Sequence, residues 1–282
     1  MTADDVKALG LPSDKTVSTA TINKHITFLN GMFKHAVNLE YIPSSPASDM
    51  QVPEPKGGEQ TVDEFSQDDL IKIFNSPVLG KNYPYQFWIP VLGLYTGARR
   101  EELCNLYRED IKQEEGIWYI DINMDKPDKF IKTYQSRKVP LHPFLLDLGF
   151  LDYIKGFQPG ERIWPELSNN NKSKKYGHYF GRWFNNSLLN PLGIKPTANE
   201  IGVGALKKTF HSFRHSLITL GIRSGMDVQK VKGLVGHQEK GVTFGTYFKG
   251  YTVRQIYDEI VSQIDFGIDL SHLKNSKWVT KE

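Results

Sequence analysis

The stretch YPYQFWIPVLGLYTGARREELCNLY, residues 83–107, decides the fold. Its first half is apolar with few breaks, which predicts a buried helix that Pro90 interrupts. From Arg100 onward the residues predict that the chain continues as a helix. We therefore expect a mainly helical domain to be built around this stretch.

Three short β-strands are predicted after it. The segments GIWYIDIN (116–123), DKFIKT (128–133) and RKVPLH (137–142) are rich in β-branched or aromatic residues and are separated by turn residues. Segments with helical periodicity precede and follow them. The sequence therefore predicts an α+β fold that is mainly α, with one small antiparallel β-sheet.

The N-terminal part of the chain differs from the rest. Residues 19–39 carry apolar side chains at helical spacing, whereas residues 51–61 are rich in Pro and Gly and show no periodicity. We interpret 51–61 as a linker. Because one apolar helix face cannot form a domain alone, residues 1–50 are predicted to be the C-terminal remnant of a helical domain, whose start is either natural or truncated.

Composition and motif content exclude several classes of protein. The 282 residues carry a net charge of +3, and the single cysteine, Cys104, allows no internal disulfide, which fits a cytoplasmic location. The start lacks a signal peptide, and no apolar stretch is long enough to span a bilayer. Neither HExxH, paired CxxC, GxxxxGK[ST] nor GxGxxG occurs. We therefore predict no metal site and no cofactor.

Four separated boxes carry the chemistry. They are TGARREEL (96–103), KTYQSRKVPL (132–141), HSFR (211–214), and VGH (235–237) followed by GTYFKG (245–250). Each box alone is a weak signal, since an isolated arginine on a helix is usually a surface charge. Together they offer what phosphodiester cleavage needs: a nucleophile, a proton acceptor, a proton donor and cations for the phosphoryl oxygens.

The boxes and their order resemble the tyrosine recombinase (phage integrase) family over residues 62–250. The resemblance also covers residues 1–50, which are similar to the end of the family's helical core DNA-binding domain. Position by position, it implies a supporting role for Glu102 and a catalytic set made of Arg99, Lys132, His211, Arg214, His237 and the nucleophile Tyr247.

The resemblance implies a function as well. The chain would be a site-specific recombinase of a mobile genetic element, of bacterial or phage origin, acting in the cytoplasm with the nucleoid. It would cleave double-stranded DNA to give a 3′-phosphotyrosyl intermediate and a free 5′-hydroxyl, and would self-associate on DNA as a tetramer. Residues 251–282 would form a C-terminal helix and tail that docks on a neighbouring protomer or packs on its own domain. The helix is predicted over 252–266, where five apolar residues lie largely on one face: Val253, Ile256, Ile260, Ile264 and Phe266.

Several alternatives stay open at this point. A type IB topoisomerase would use a similar active site, and a DNA-binding regulator could present the helices of 208–236 without catalysis. Tyr251 is a second candidate nucleophile, and Lys129 and Lys138 are second candidates for the proton donor. The target DNA sequence depends on surface side chains and DNA shape, which the sequence does not reveal.

Overall fold

The computed structural model describes residues 17, 19–53, 63–129, 136–170, 174–194, 208–237 and 250–279. These residues divide into two compact units, one that ends before the described segment 63–129 and one that begins with it. Two of the predicted catalytic residues, Lys132 and Tyr247, lie outside the described residues.

The first unit contains one long helix, α1 (Thr19–Asn38), as the apolar spacing predicts. The chain returns along it after a turn, and Asn23 fixes that return by exchanging two hydrogen bonds with the backbone of Val52 (2.9 and 2.8 Å). No residue of α1 is buried within this unit. Some of its apolar side chains are exposed in the described structure, among them Phe28 (70 %) and Met32 (57 %).

The second unit is organised around a helix that is buried along its whole length. Helix α2 (Gln67–Phe74) precedes it and begins with the capping box of Ser66 and Asp69. The buried helix is α3 (Tyr85–Thr96), and it runs through Pro90 without a break. The predicted interruption is wrong, because proline removes a single N–H and the packing of every residue of α3 outweighs that loss.

The sheet has three antiparallel strands in sequence order: β1 (Ile111–Glu114), β2 (Ile117–Ile122) and β3 (Arg137–Pro140). The mainly α fold with a small antiparallel sheet is thus confirmed. The predicted strand at 128–133 is wrong at Asp128 and Lys129, which are not in a strand, and its other residues lie outside the described ones.

The strand that the sequence analysis missed is β1. Its residues Lys112 and Gln113 are both exposed, so β1 lacks the apolar alternation that marks a half-buried strand. The turn after it was the better signal. Glu115 and Gly116 both have positive φ values (49° and 80°), as a two-residue hairpin turn requires.

The remaining helices surround α3 and the sheet. They are α4 (Arg100–Cys104), α5 (Pro143–Asp147), α6 (Phe150–Lys155), α7 (Gly177–Trp183), α8 (Ser212–Arg223), α9 (Val228–Val235) and α10 (Val253–Glu259). A π-helical turn, Phe184–Leu189, extends α7, and short 3-10 turns occupy Arg108–Asp110, Val261–Gln263 and Ser271–Asn275. Within the described part of the chain, no helix combines the length and apolarity needed to cross a membrane.

Close contact between α3 and α8 places two of the boxes next to each other. Gly93 of α3 has no side chain, and a Cβ there would lie 2.6 Å from the Phe210 ring and 3.2 Å from the Phe213 ring. Because this glycine lets the two aromatic rings reach the α3 backbone, the C-terminal end of α3 and the start of α8 meet. Arg99 follows the first element and Arg214 lies in the second.

The C-terminal segment packs on its own domain. The five apolar positions of its predicted helix face are all buried within the chain: Val253, Ile256, Ile260, Ile264 and Phe266. The predicted end of this helix at Phe266 is wrong: the helix ends at Glu259, and the residues after it lie along the domain as a strap that contains two short 3-10 turns. Gln67 donates a hydrogen bond to the carbonyl of Phe266 (2.9 Å), which fastens the strap to α2. The structure therefore favours the intramolecular alternative for this segment.

Candidate active site

The first box forms a loop and the start of α4. Gly97 ends α3 in the left-handed conformation (φ 57°), and Arg99 follows in extended backbone as the N-cap of α4. The backbone N–H and the Nη1 of Arg99 both donate to Glu102, at 2.8 and 3.0 Å. Glu102 therefore orients the guanidinium of Arg99 from one turn further along the chain.

Glu102 is the carboxylate at the centre of the site. Only 2 % of its side chain is exposed. Burial by itself would raise the pKa of Glu102, but hydrogen bonds and charge from Arg137, followed by those from Arg99, lower it below its ordinary value. The carboxylate is thus held ionised inside the domain, between two guanidinium groups.

Arg137 is the residue that the sequence analysis overlooked. It lies at the start of β3 and donates two hydrogen bonds to Glu102, from Nη1 (3.1 Å) and Nη2 (2.6 Å). Its Nε donates to the carbonyl of Leu234 (3.0 Å). Strand alternation could have revealed it, because Arg137 shares the inward face of β3 with buried Val139, whereas Lys138 between them is exposed.

Arg214 of α8 is almost completely buried, with 1 % exposure. Its Nη1 donates to the carbonyls of Gly97 (3.1 Å) and Val235. Its Nε and Nη2 are also buried, and no described residue accepts a hydrogen bond from either. Burial, followed by the charges of Arg99 and Arg137, lowers the pKa of Arg214 to about 9, so the group stays charged at neutral pH.

The C-terminal end of α9 gathers the three arginines. The carbonyls of Leu234, Val235 and Gly236 accept from Arg137, Arg214 and Arg99 in that order, the last at 3.0 Å from Nη2. The last carbonyls of a helix have no partner within it and carry partial negative charge. Three cations from three separate elements are therefore held around one helix end. We call Arg99, Arg137 and Arg214 the arginine cluster.

Both predicted histidines border this cluster. Burial of its ring, followed by the charges of Arg214, His215 and Arg99, lowers the pKa of His211 to about 4, although the residue as a whole is exposed. Burial, followed by the charge of Arg214, also lowers the pKa of His237, which directly follows the end of α9. Both imidazoles are therefore mostly neutral at pH 7 and able to accept a proton.

His215 is a third imidazole at this place. Its ring lies 5.1 Å from that of His211 between centroids, one helical turn further along α8. Burial and the charge of Arg214 lower its pKa as well. The i, i+4 spacing from His211 was the signal in the sequence, since it places both rings on one helix face.

The second candidates for the proton donor are occupied elsewhere. Lys129 is buried and forms an ion pair with Asp110 (2.5 Å) and a hydrogen bond with Asn123 (2.8 Å). Lys138 pairs with Glu114 at the exposed side of the sheet. Lys129 nevertheless lies directly before residues 130–135, so its ion pair fixes one end of the segment that carries Lys132.

Arg100, the neighbour of Arg99, belongs to a different contact. Its guanidinium lies over α7, where a Cβ added to Gly181 would be 2.1 Å from its Nη1. Glu101 accepts from the backbone N–H groups of Tyr176 (2.7 Å) and Gly177 (2.9 Å) at the start of that helix. Arg100 and Glu101 thus join α4 to α7, whereas Arg99 and Glu102 face the cluster.

Comparison with known proteins places the chain in a family. The model of the phage integrase family matches residues 68–252. This chain belongs to the phage integrase family. The match begins in α2 and ends just before α10, so it includes every residue of the arginine cluster.

Individual relatives agree with this membership. The chain is 30% identical over 156 residues to tyrosine recombinase XerA of Pyrococcus furiosus, a match that covers 54% of this chain and 46% of the relative. The chain spans less than half the length of the curated relatives that it matches.

Among the described residues, no three His, Cys, Asp or Glu side chains are grouped as metal ligands.

Solved structures share the fold. A lambda integrase dimer bound to a COC′ core site superposes with a TM-score of 0.55 at 18% identity, covering 78% of this chain and 73% of that one. A lambda integrase tetramer bound to a Holliday junction superposes with a TM-score of 0.53 at 18% identity, covering 79% and 60%. At such identities the likeness establishes the fold alone.

Proposed function

We propose that the chain is a site-specific DNA recombinase that breaks and rejoins double-stranded DNA through a covalent 3′-phosphotyrosyl intermediate. The observation that carries this proposal is the buried guanidinium of Arg214, whose Nε and Nη2 have no acceptor among the described residues. An unsatisfied buried donor costs about 1–3 kcal/mol. Two such donors on one planar group suit the paired non-bridging oxygens of a phosphodiester.

The charge of the cluster fits the same reaction. Three guanidinium groups, those of Arg99, Arg137 and Arg214, surround one carboxylate, that of Glu102, which leaves a net charge of +2. A phosphodiester carries one negative charge, and the five-coordinate phosphorus of the transition state carries two. Fixed cations therefore stabilise the transition state more than they stabilise the DNA phosphate in its ground state. This difference is the condition for catalysis.

The chemical step follows from these groups together with Tyr247 and Lys132, which the family resemblance supplies. The Tyr247 hydroxyl attacks the phosphorus and forms the phosphotyrosyl bond, while the bond to the 5′-oxygen breaks. The phenolic proton passes to a neutral histidine, His211 or His237, and Lys132 protonates the departing 5′-oxygen. Attack by a 5′-hydroxyl of the partner strand reverses the step, so the bond is conserved without ATP.

The partners that we propose follow from the relatives. The solved lambda integrase structures are a dimer on a core site and a tetramer on a Holliday junction. We infer that this chain likewise binds double-stranded DNA and joins two sites with four protomers. The cytoplasm, where the nucleoid lies, is the compartment in which this substrate is found, and the element that the chain serves is a mobile one.

The test is the recovery of a covalent adduct from DNA of unknown sequence. The full chain is incubated with a pool of nicked duplexes whose central region is randomised, so that the short 5′-hydroxyl fragment diffuses away after cleavage. DNA that stays attached to protein in hot detergent is sequenced, and the process is repeated until sites are enriched. We expect enriched sites with the wild-type chain and none with Tyr247→Phe.

Two further outcomes distinguish the rival functions. Joining of two enriched sites on separate duplexes supports a recombinase, whereas relaxation of a supercoiled plasmid without any joining would indicate a topoisomerase. DNA binding without an adduct at any enriched site would indicate a non-catalytic regulator. An adduct that persists in Tyr247→Phe and disappears in Tyr251→Phe would move the nucleophile to Tyr251.

A further inference from the structure

Arg137 connects three parts of the site that are far apart in the chain. It begins β3 and thus ends the segment 130–136 that carries Lys132. Through two hydrogen bonds it holds Glu102, which in turn orients Arg99. Through Nε it also holds the carbonyl of Leu234 at the end of α9, two residues before Gly236.

We propose that Arg137 is a positioning residue of the recombination reaction, which sets Arg99 through Glu102 and locks the end of α9 against the β3 strand. The inference rests on the proposed function, because it concerns the same site. Arg137 acts through its neighbours, since each of its three nitrogens donates to a protein acceptor. In this proposal Arg99 and Arg214 contact the phosphate, whereas Arg137 holds Glu102 against Arg99.

The guanidinium of Arg137 fills the space beside Gly236. A Cβ added to Gly236 would lie 2.9 Å from Nη1 and 3.0 Å from Cζ of Arg137. Gly236 also has a φ of 70°, which an L side chain rarely adopts. The residue before His237 is therefore a glycine both because of its backbone and because Arg137 occupies the space beside it.

Arginine is required at this position because of its geometry. The planar guanidinium gives Glu102 two parallel hydrogen bonds and still has Nε available for Leu234. Lysine would retain the charge with a single ammonium group and could not satisfy both carboxylate oxygens and the carbonyl at once. Charge and geometry can therefore be separated by experiment.

The first experiment compares three variants on a DNA site enriched as described above. Arg137→Gln removes the charge, Arg137→Lys retains it, and Lys138→Gln removes a charge from the exposed face of the same strand. In single-turnover cleavage we expect Arg137→Gln to be slower by on the order of 10–100-fold, the size of effect known for groups that orient metal-binding side chains in other active sites. DNA affinity should stay unchanged, Arg137→Lys should recover a small part of the rate, and Lys138→Gln should match wild type.

A double-mutant cycle with Glu102→Gln tests whether Arg137 acts through that carboxylate. If it does, the double variant Glu102→Gln with Arg137→Gln cleaves no more slowly than the slower single variant. Rates that multiply would show an independent role and overturn the proposal. A cleavage rate of Arg137→Gln equal to wild type, in a chain whose Tyr247 still forms adduct, would overturn it as well while leaving the proposed function intact.

A measurement without DNA decides the case in which no adduct forms with any variant. The amide of Arg99 donates to Glu102, and the amide of His237 donates to the carbonyl of Lys232 (3.0 Å). We expect hydrogen exchange of both amides to be faster in Arg137→Gln than in Lys138→Gln, with equal exchange in α3. Equal exchange at Arg99 and His237 in the two variants would refute the positioning role.

Discussion

At the scale of the residue, neighbours in sequence have opposite surroundings. Arg99 faces the cluster with Glu102, whereas Arg100 lies over α7 beside Gly177 and Gly181. The difference arises because Arg99 is the extended N-cap of α4 and Arg100 is its first helical residue. Two adjacent arginines in one box thus serve different parts of the domain.

This contrast gives a prediction with a matched control. Arg99→Ala removes a charged donor that is fixed before DNA binds, and we expect cleavage to be about a hundredfold slower or worse, the usual effect of losing one such donor. Arg100→Ala should retain most of the rate, because its guanidinium belongs to the contact with α7. Single-turnover adduct formation on an enriched DNA site measures both. An equal loss in the two variants would contradict the assignment of Arg99.

A second prediction at this scale concerns metal ions. The phosphate charge is balanced by guanidinium groups that are already in place, so divalent ions are not needed at the phosphorus. We expect adduct formation at an unchanged rate after dialysis against EDTA and in its presence. A complete loss that Mg²⁺ restores would contradict the mechanism.

At the scale of the element, the end of α9 decides how the cluster is held. Its last three carbonyls each accept from a different arginine. Gly236 ends the helix in the left-handed conformation and leaves space for Arg137. A short helix thereby fixes groups from the start of α4, from β3 and from α8 in one place.

Gly225 and Gly236 have the same backbone conformation but different surroundings. Comparing them therefore distinguishes the effect of backbone strain from the effect of contact with Arg137. Gly225 has a φ of 72° and nothing within 4 Å of an added Cβ, whereas Gly236 has a φ of 70° and the Arg137 guanidinium at 2.9 Å. Gly225→Ala should lower the free energy of unfolding by about 1–2 kcal/mol, the cost of a left-handed residue with a side chain. Gly236→Ala should lower it further and should also slow cleavage. Denaturant titration measures the unfolding free energies. If Gly225→Ala and Gly236→Ala had equal unfolding free energies and equal cleavage rates, the contact of Gly236 with Arg137 would have no effect.

The strap after α10 contains a pH-sensitive contact. His142 donates from Nε2 to the carbonyl of Ile264 (3.1 Å) and accepts at Nδ1 from the N–H of Phe144 (3.1 Å). Both ring nitrogens are therefore used by the neutral form. Burial lowers the pKa of His142 to about 4, with the carbonyl of Ile264 and the charge of Asp265 opposing the shift.

The direction of the pH effect follows from linkage. The unfolded chain binds a proton at His142 near pH 6.5, whereas the folded chain binds it only near pH 4, so the stability from this contact is complete above pH 6.5 and falls between 6.5 and 4. We expect the midpoint of thermal unfolding to fall more steeply over this interval in wild type than in His142→Gln. Parallel curves for the two proteins would show that His142 does not contribute.

At the scale of the whole molecule, the C-terminal segment is part of the core of the second unit. Ile260, Val261 and Ile264 are buried in the same apolar cluster as α3. Trp278 near the end of the described chain donates to the carbonyl of Gly80 at the other end of this unit. Residues that follow Tyr247 in the sequence are therefore part of the packed core of this unit.

Point variants test this without removing the segment. Ile260 is completely buried and Ile222 is 52% exposed. We expect Ile260→Asp to lose cooperative unfolding at ambient temperature, because an unpaired carboxylate would be buried in the core, and Ile222→Asp to melt as wild type. A cooperative, well-folded Ile260→Asp protein that fails only in the pairing of two DNA sites would instead support docking of this segment on a neighbouring protomer.

The sequence by itself determined the local features. Capping at Ser66 and Asp227, the apolar run of α3 and the spacing of the boxes depend on residues that are neighbours along the chain, and periodicity and cap chemistry report such neighbours directly. The order of the boxes also sufficed to indicate the family. By contrast, the continuity of α3 through Pro90 was misjudged because packing outweighs the effect of the proline. The edge strand β1 was missed because its middle residues are exposed and show no apolar alternation.

Only the tertiary structure decided which groups meet. The contact of Arg137 with Glu102 joins residues 35 positions apart, and that of Arg99 with Gly236 joins residues 137 positions apart. No local pattern encodes such distances, since they depend on how α3, β3 and α9 pack. The same holds for the strap, whose apolar residues fit equally an intramolecular and an intermolecular groove until the core that receives them is formed. Strand alternation could place Arg137 on the inward face of β3, but only the folded chain shows that its partner there is Glu102.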